Sequence, residues 1–302
     1  MDIFQYFDLA TTEEEIREGV NTWVSTRDKC QKLDHNRYIS LRDFTEQSLR
    51  DLDEGGLDDG KLCGLLAELI KCMGKLSVYI EYPHCKHVVV GTGFIQRIRR
   101  VNREDSEMGH FTITTCVNVV RKMTSYDEVK VVLFYDEHEN EGKIRSLKLD
   151  KIPEFDENQD WCSIECVSQD LDVVERLESC LARYEDHQKK VYQRYIDAGD
   201  ESCPRVVALV GYPHGMPTTV SLGHVIQKKT LHLTRDGKDW CRYAYDTPTC
   251  PGSSGSPVFI LGQPLAGFGY WFGHPHNHSR GYCGLSGEPV GFSCVGADCV
   301  GF

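Results

Sequence analysis

The segment Thr249-Cys250-Pro251-Gly252-Ser253-Ser254-Gly255-Ser256-Pro257-Val258-Phe259 decides how this chain folds. Glycines on both sides of Ser254 favour a tight turn that exposes the serine hydroxyl, because glycine adopts backbone conformations that other residues avoid. They also let successive backbone N–H groups converge on one point, as in an oxyanion hole. A short glycine-serine motif is equally typical of an ordinary turn, so its interpretation depends on the rest of the chain.

Short apolar stretches separated by polar turns lie on both sides of this loop. Strands are predicted before it at 77–82, 87–95, 111–120, 130–135, 144–149, 162–167, 205–211, 218–226 and 240–245, and within or after it at 256–261 and 265–271. Many short strands at regular spacing indicate a β-sandwich or a β-barrel. The two successive groups of strands suggest a duplicated barrel.

Helical periodicity occurs in two other regions. Thr11 and Glu14 form a capping-box pattern ahead of an apolar helical face, and further helices are predicted from Ser40 and across 62–73. Apolar residues among many charges recur at helical spacing over 169–198. We therefore predict a helical module at the amino end and one or two surface helices between the two groups of strands.

The segment around Ser254 resembles the nucleophile loop of trypsin-like serine proteases, a double β-barrel superfamily that includes HtrA-type and viral proteases. Four other segments resemble the same superfamily, in part its intracellular metazoan peptidase domains: Gly91-Thr92-Gly93-Phe94, Asp160-Trp161-Cys162-Ser163-Ile164, Tyr212-Pro213-His214-Gly215 and Val220-Ser221-Leu222-Gly223. Together these segments extend the resemblance over roughly residues 76–272.

The resemblance implies a mainly β fold of two packed antiparallel β-barrels, with an N-terminal helical module and an inserted helix. The predicted boundaries are 1–75 for the helical module and 76–302 for the double-barrel domain. Within that domain we predict a first barrel at about 76–168, a helical insertion at 169–198, a second barrel at about 204–272 and a Gly/Cys-rich tail at 281–302.

The resemblance also assigns catalytic roles and exposes one departure. Ser254 takes the place of the nucleophile, Asp160 that of the acid, and the N–H groups of Gly252 and Ser254 that of the oxyanion hole. The family's general-base histidine lies in a T-x-x-H segment, and the matching segment Thr115-Cys116-Val117-Asn118 has asparagine there. A serine hydroxyl needs a neighbour that takes its proton, and a carboxamide has no nitrogen basic enough to do so. The sequence therefore predicts a pseudoprotease or a strongly impaired peptidase.

Three alternatives to a lost base remain open at the level of sequence. A displaced histidine would restore an active serine endopeptidase; His214 and His224 belong to the second barrel, whereas His110 lies at the far end of the strand before Asn118. A histidine supplied by the substrate would do the same. Asparagine introduced to trap an inactive form would also give this sequence.

The family's substrate cleft gives further expectations. Pro248 stands six residues before Ser254, at the base of the primary specificity pocket, so a preference for basic side chains is not supported. Phe268 and Tyr270 belong to the strand that lines this cleft. Even without catalysis, such an edge binds an extended peptide by strand addition. We therefore predict a peptide or protein ligand in the inter-barrel cleft.

Composition limits the other classes of function. The 302 residues carry 34 Lys and Arg against 46 Asp and Glu, a net charge of −12, which argues against binding nucleic acid through bulk charge. No apolar run approaches the length of a membrane span, and no signal peptide is evident at Met1–Ala10. We expect a cytoplasmic protein whose 14 cysteines are reduced, with self- or hetero-association through the N-terminal helices. A helical adaptor coupled to a peptide-sensing barrel is the corresponding non-enzymatic alternative.

Two histidine clusters contain the type of side chain that binds metal ions. His274, His276 and His278 alternate along one segment, and His84 and His87 flank a predicted turn. Zinc accepts such ligands, but surface loops with histidines are common. We therefore predict no metal site and no cofactor.

Overall fold

The computed structural model describes most of the chain from Cys30 onward. The described residues are 30, 35–52, 59–84, 87–103, 106–121, 123, 128–135, 145–197, 206–233, 238–262, 276–283, 289–294 and 296–299. The predicted helix at 11–24 and the predicted strand at 265–271 lie outside these ranges, as do Phe268, Tyr270 and His274. No helix among the described residues has both the length and the apolarity needed to cross a bilayer.

Six antiparallel strands close into a barrel in the first half of the chain. They are β2 (Ser77–His84), β3 (His87–Arg103), β4 (Ser106–Thr115), β5 (Lys130–Leu133), β6 (Arg145–Asp156) and β7 (Trp161–Ser168), joined in the order β2-β3-β4-β7-β6-β5. The predicted strand at 111–120 is wrong in its last part. Cys116 caps a short helix α3 (Val117–Val120), and Arg121 donates its N–H to the Val117 carbonyl.

The second half of the chain forms an eight-stranded sheet. Six strands follow the order β11-β8-β9-β10-β13-β12, and β1 and β14 pair at its sides; the strands are β1 (Ile39–Ser40), β8 (Val206–Gly211), β9 (Thr219–Leu233), β10 (Lys238–Tyr245), β11 (Val258–Ile260), β12 (His278–Cys283), β13 (Pro289–Ser293) and β14 (Gly296–Cys299). A bridge between Pro257 and Asn277 brings the two ends of this sheet together. The predicted mainly β fold, with two barrel-like units and helices, is confirmed.

The second sheet extends beyond its predicted boundary near residue 272. The Gly/Cys-rich tail predicted at 281–302 supplies strands β13 and β14 and part of β12. These strands lack alternating apolar residues because small residues fit where neighbouring side chains need the space. A Cβ at Gly291 would overlap the ring of Tyr245 on the adjacent strand. Glycine therefore marks close packing in this segment rather than a loop.

Two helices that the structure describes ahead of the first barrel pack onto its core. Helix α1 (Glu46–Arg50) is short, and α2 (Gly60–Leu76) packs along α4 (Leu171–Asp197), which is one continuous helix in the predicted insertion. The buried face of α2 and that of α4 belong to the same hydrophobic cluster as the first barrel. The predicted domain boundary at residue 75 therefore cuts through a core, because α2 leads directly into β2.

Polar contacts fix the two long helices. Asp59 accepts hydrogen bonds from the N–H groups of Lys61 and Leu62 at the start of α2, and Arg194 near the end of α4 donates to the same carboxylate at 2.6 Å. The Arg194 guanidinium lowers the pKa of Asp59. Nearer the start of α4, Glu178 accepts paired hydrogen bonds from Arg100 of β3. These contacts align α4 with both α2 and the barrel.

Thr92, which is fully buried on β3, joins the first barrel to the second half of the chain. Its N–H donates to the carbonyl of Ser254 at 2.8 Å, and its hydroxyl donates to the carbonyl of Gly252 at 2.8 Å. The same hydroxyl accepts the N–H of Tyr212, which follows β8, at 3.2 Å. A single threonine thus binds two different segments of the second half.

An aromatic cluster reinforces this junction. The Tyr79 and Tyr135 rings stack at a centroid distance of 4.8 Å, and the buried Tyr212 ring meets both edge-on at 5.6 and 6.0 Å. Tyr212 also donates its hydroxyl to the Ser77 carbonyl. Because the first two rings come from β2 and the segment after β5, Tyr212 anchors the second sheet to the first barrel.

Replacing Ile70 with alanine tests whether α2 is part of the barrel core. Ile70 is fully buried in the shared cluster, so we expect Ile70→Ala to lower the free energy of unfolding by about 2–5 kcal/mol. Chemical denaturation of the full chain measures this change. The exposed Glu68 on the same helix is the control, and Glu68→Ala should change stability by about 0.5 kcal/mol or less. Equal stability of the two variants would contradict a shared core.

Replacing Thr92 with valine tests the junction between the two halves. Valine keeps the shape but leaves the Gly252 carbonyl and the Tyr212 N–H without their partner, so unfolding should become easier by about 2–4 kcal/mol. Thr92→Ser keeps the hydroxyl and removes only a methyl group, which costs about 1 kcal/mol. Chemical denaturation of both variants measures these changes in the free energy of unfolding. A serine variant as unstable as the valine variant would show that the hydroxyl has no such role.

Candidate active site

The loop that carries Ser254 is folded by hydrogen bonds within itself. Ser253 donates its N–H to the Cys250 carbonyl at 2.9 Å and accepts the Cys250 N–H on its hydroxyl at 3.2 Å. Ser256 then donates its N–H to the Ser253 carbonyl at 3.0 Å. These two consecutive turns place Ser254 at the bend, with its side chain half-buried. The loop geometry matches the exposed-serine turn predicted from the sequence.

Glycine is required at two positions of this loop. Gly252 and Gly255 have φ angles of +98° and +83°, in the region that side chains disfavour. A Cβ at Gly252 would overlap the Tyr212 carbonyl, and one at Gly255 would overlap the Thr92 carbonyl. The loop therefore packs directly against the backbone of both halves.

The predicted oxyanion donors are available. Within the described part of the chain, the N–H groups of Gly252 and Ser254 have no hydrogen-bond partner, whereas those of Ser253, Gly255 and Ser256 are all used. Unused N–H groups on either side of a bend are suited to a developing negative charge. The two N–H groups predicted as oxyanion donors are therefore free to bind a ligand, among the residues that the structure describes.

Ser279 connects the nucleophile position to the acid position, and sequence reasoning missed it. Its carbonyl accepts the hydrogen bond of the Ser254 hydroxyl at 3.5 Å, and its own hydroxyl donates to Asp160. The neighbouring His278 carbonyl accepts the Gly255 N–H at 2.7 Å, which holds the start of β12 against the loop. Ser279 lies in a segment without apolar alternation, so the sequence offered no signal for it.

Asp160 is held in an unusual backbone conformation. It ends the turn between β6 and β7 with φ of +50°, which is uncommon for a residue other than glycine. Its N–H donates to the Glu157 carbonyl at 3.3 Å, and its carbonyl accepts the Cys294 thiol at 2.8 Å. Ser279 of β12 thus holds the carboxylate of Asp160, and Cys294, which follows β13, holds its backbone carbonyl.

Asn118 lies in the first turn of α3 and is half-buried. Thr115 pairs with Cys162 across β4 and β7, so Asn118 and Asp160 both lie just beyond the same end of this strand pair. Among the described residues, no hydrogen bond joins the Asn118 side chain to Ser254. Asn118, predicted at the base position, therefore lies at the same end of the barrel as Asp160, and its side chain is a carboxamide.

Three thiols surround the Asp160 carboxylate. Burial, and secondarily the charge of Asp160, raises the pKa of Cys162 to about 12 and those of Cys116 and Cys294 well above the usual thiol value. These cysteines therefore stay protonated at neutral pH, and the thiolate is the reactive form. None of the three replaces histidine as a base. They are free thiols, as are the other cysteines whose side chains the structure describes.

The three histidines that could act as a displaced base make other contacts. His110 lies 3.2 Å from Glu165 on the neighbouring strand, and His224 lies 3.9 Å from Asp246. His214 faces His35 at 3.1 Å between their Nε2 atoms. The hydroxyl of Ser254, by contrast, has its hydrogen bond to Ser279 within the described residues.

The other predicted site residues have different outcomes. Pro248 is buried just before the nucleophile loop, as a residue at the base of a pocket would be. Phe268 and Tyr270 lie outside the described residues. Of the predicted histidine cluster, His276 and His278 are buried rather than on a surface loop. His276 contacts Ser293 at 3.0 Å, and His278 contacts Tyr245 at 2.7 Å, so both histidines join strands of the second sheet.

No protein-family model matches this sequence, and no curated protein is significantly similar to it. Solved structures of proteases do resemble it. The active form of the Rv3671c protease from M. tuberculosis is 14% identical over 75% of this chain and 78% of its own, with a TM-score of 0.42. The HtrA-type protease AlgW with a tripeptide is 13% identical over 76% and 59%, with a TM-score of 0.43. Deg5 is 16% identical over 79% and 91%, also with a TM-score of 0.43. At these identities the similarity concerns the arrangement of strands and helices alone.

Proposed function

We propose that this chain is a trypsin-like serine protease homologue with lost or strongly impaired catalysis, which acts by binding a peptide or protein segment. The observation that carries the proposal is the connection of Ser254 to Asp160 through Ser279, with Asn118 at the base position. In this proposal Ser254 keeps the role of nucleophile, Asp160 that of the acid, and the N–H groups of Gly252 and Ser254 those of the oxyanion donors. The component that is missing is the group that takes the serine proton.

The chemical consequence follows from the role of the base. General-base catalysis contributes about 10²–10⁴ in rate, and a neutral serine hydroxyl is a weak nucleophile without it. Asn118 offers hydrogen bonds but no proton acceptor near neutral pH. The hydrogen bond from Ser254 to a backbone carbonyl does not activate the hydroxyl either, because a carbonyl is far too weak a base.

Peptide binding is supported by the edge of the second sheet. Strand β12 ends the strand order of that sheet, and it pairs with β13 on one side among the described residues. The first residues of β12, His278 and Ser279, contact the nucleophile loop. Its later residues, 280–283, pair with β13 and form the edge of the sheet that leads to this contact. An extended peptide that adds to this edge gains main-chain hydrogen bonds and runs past the serine.

The proposal extends to where and with what the chain works. Its acidic balance and its free thiols support a reducing compartment such as the cytoplasm and a protein or peptide partner rather than nucleic acid. Because α2 belongs to the barrel core, association through the N-terminal region would involve the surface that α2 leaves exposed or the residues before it.

Restoring histidine at position 118 tests the catalytic part of the proposal. We expect the unaltered chain to react with a fluorophosphonate probe no faster than Ser254→Ala, since no base activates the hydroxyl. Asn118→His should raise the labelling rate by about 10²–10⁴, because the acid and the nucleophile are already positioned. Time-resolved labelling followed by mass spectrometry measures both rates and locates the modified residue.

Control variants distinguish a displaced base from a wrong assignment of Asn118. The double variant Asn118→His with Ser254→Ala should not be labelled, and circular dichroism checks that each variant is folded. Rapid labelling of Ser254 in the unaltered chain would establish a displaced base and overturn the pseudoprotease proposal. A folded Asn118→His variant that stays unlabelled would refute the assignment of Asn118 to the base position.

A further inference from the structure

Behind the nucleophile loop, four potential metal ligands converge from three separate segments. Cys30 and His35 precede β1, His214 lies in the short 3₁₀ turn Pro213–Gly215 after β8, and Cys250 begins the nucleophile loop. Their ligand atoms all lie within 4.8 Å of one another. His214 and Cys250 are 5% exposed, and the other two are half-buried. None of the four belongs to the site formed by Ser254, Ser279 and Asp160.

Three ligand-to-ligand distances in this cluster are close to those of a tetrahedron around one zinc ion, and the other three are at most 4.8 Å. With Zn–S of about 2.3 Å and Zn–N of about 2.0–2.1 Å, a tetrahedral site separates its sulfurs by about 3.8 Å, sulfur and nitrogen by about 3.5 Å, and its nitrogens by about 3.3 Å. The Sγ atoms of Cys30 and Cys250 are 3.8 Å apart. Cys250 Sγ is 3.4 Å from His35 Nε2, which is 3.1 Å from His214 Nε2.

A disulfide does not account for this cluster. The two sulfurs would have to be about 2.0 Å apart in a disulfide, and a pair of thiols gives no reason for two imidazoles to point their Nε2 atoms at the same place. In contrast, two thiolates and two imidazoles in a tetrahedron are the ligand set and geometry that zinc prefers.

The backbone around the cluster is fixed before any metal binds. His214 has φ of +57° and donates its N–H to the Pro251 carbonyl at 2.6 Å, next to Cys250. Pairing of Ile39 with Val220 holds the amino-terminal segment on β9, and Arg37 donates to the Leu222 carbonyl at 3.4 Å. His35, His214 and Cys250 therefore come from segments that hydrogen bonds already hold together, which lowers the ordering cost of binding at these three ligands.

We propose that Cys30, His35, His214 and Cys250 bind one Zn²⁺ ion in a structural Cys₂His₂ site. Binding releases the two thiol protons, since the metal takes cysteine as thiolate and histidine as neutral imidazole. All four positions of the tetrahedron are filled by protein, which is typical of structural sites, whereas catalytic zinc keeps a position for water. The ion ties the amino-terminal segment to the loop that carries Ser254.

The metal content of the full chain tests the proposal directly. We expect one zinc per chain by inductively coupled plasma mass spectrometry after expression with added zinc and gel filtration. Cys30→Ser and His35→Gln, which alter the two half-buried ligands, should lower the content to well below half. Cys63→Ala and His187→Gln alter a cysteine and a histidine outside the cluster and should keep one zinc each.

Two further measurements identify the site and its role. X-ray absorption of the zinc-loaded chain should show two sulfurs at about 2.3 Å and two nitrogens at about 2.0–2.1 Å. A strong chelator should lower the thermal midpoint of the unaltered chain by several degrees and leave that of Cys30→Ser unchanged. Because neither readout depends on peptidase activity, they are independent of the proposed function.

Several results would overturn the zinc proposal. A folded chain that contains no zinc and takes up none in titration would exclude it, as would a Cys30–Cys250 disulfide in a non-reducing peptide map. Zinc that persists in both Cys30→Ser and His35→Gln would place the ion elsewhere. A shell with more oxygen or nitrogen than sulfur would contradict the Cys₂His₂ set.

Discussion

The main-chain and side-chain hydrogen bonds of Thr92 hold the nucleophile loop, and the rest of the structure depends on that contact. The N–H of Thr92 fixes the Ser254 carbonyl, its hydroxyl fixes the Gly252 carbonyl, and its own carbonyl accepts the Thr115 hydroxyl at 2.7 Å. Thr115 in turn precedes the helix that carries Asn118. One fully buried residue thus sets the nucleophile, the oxyanion donors and the base position relative to one another.

This dependence explains why the site keeps its shape with asparagine at position 118. The positions of Ser254 and Asp160 come from Thr92, Ser279 and the backbone of β12, and no contact in this set requires an imidazole at position 118. A carboxylate beside three buried, protonated thiols is stabilised by the Ser279 hydroxyl. Under the proposed function, asparagine at position 118 removes proton transfer and leaves these contacts intact.

Much of the fold was predictable because strands with one buried face carry a strong periodic signal. The first barrel, helix α2 and the long helix α4 all follow apolar patterns of period 2 or 3.6. The nucleophile loop was predictable because only glycine fits at Gly252 and Gly255. Where a pattern is set by local sterics or by burial, the sequence contains it.

The remaining features depend on contacts between distant segments. Strands β13 and β14 are rich in small residues, and Gly291 of β13 packs against the ring of Tyr245, so no alternation marks these strands. Ser279 acquires its role only when β12 meets the nucleophile loop. Likewise Cys30 and Cys250 are 220 positions apart, and no short ligand spacing reveals them. Sharing of the α2 core with the barrel is a contact of the same kind, which the helical periodicity of α2 does not reveal.

The nucleophile loop is consequently held from two opposite directions. Thr92 of the first barrel binds its Gly252 and Ser254 carbonyls, and the cluster around Cys250 and His214 holds its first residues against the amino-terminal segment. A loop held at both ends loses little conformational freedom when a ligand contacts it, because its backbone is already ordered. Such preorganisation benefits binding as much as catalysis. The rigidity of this loop is therefore what the proposed peptide-binding role requires, whether or not Ser254 reacts.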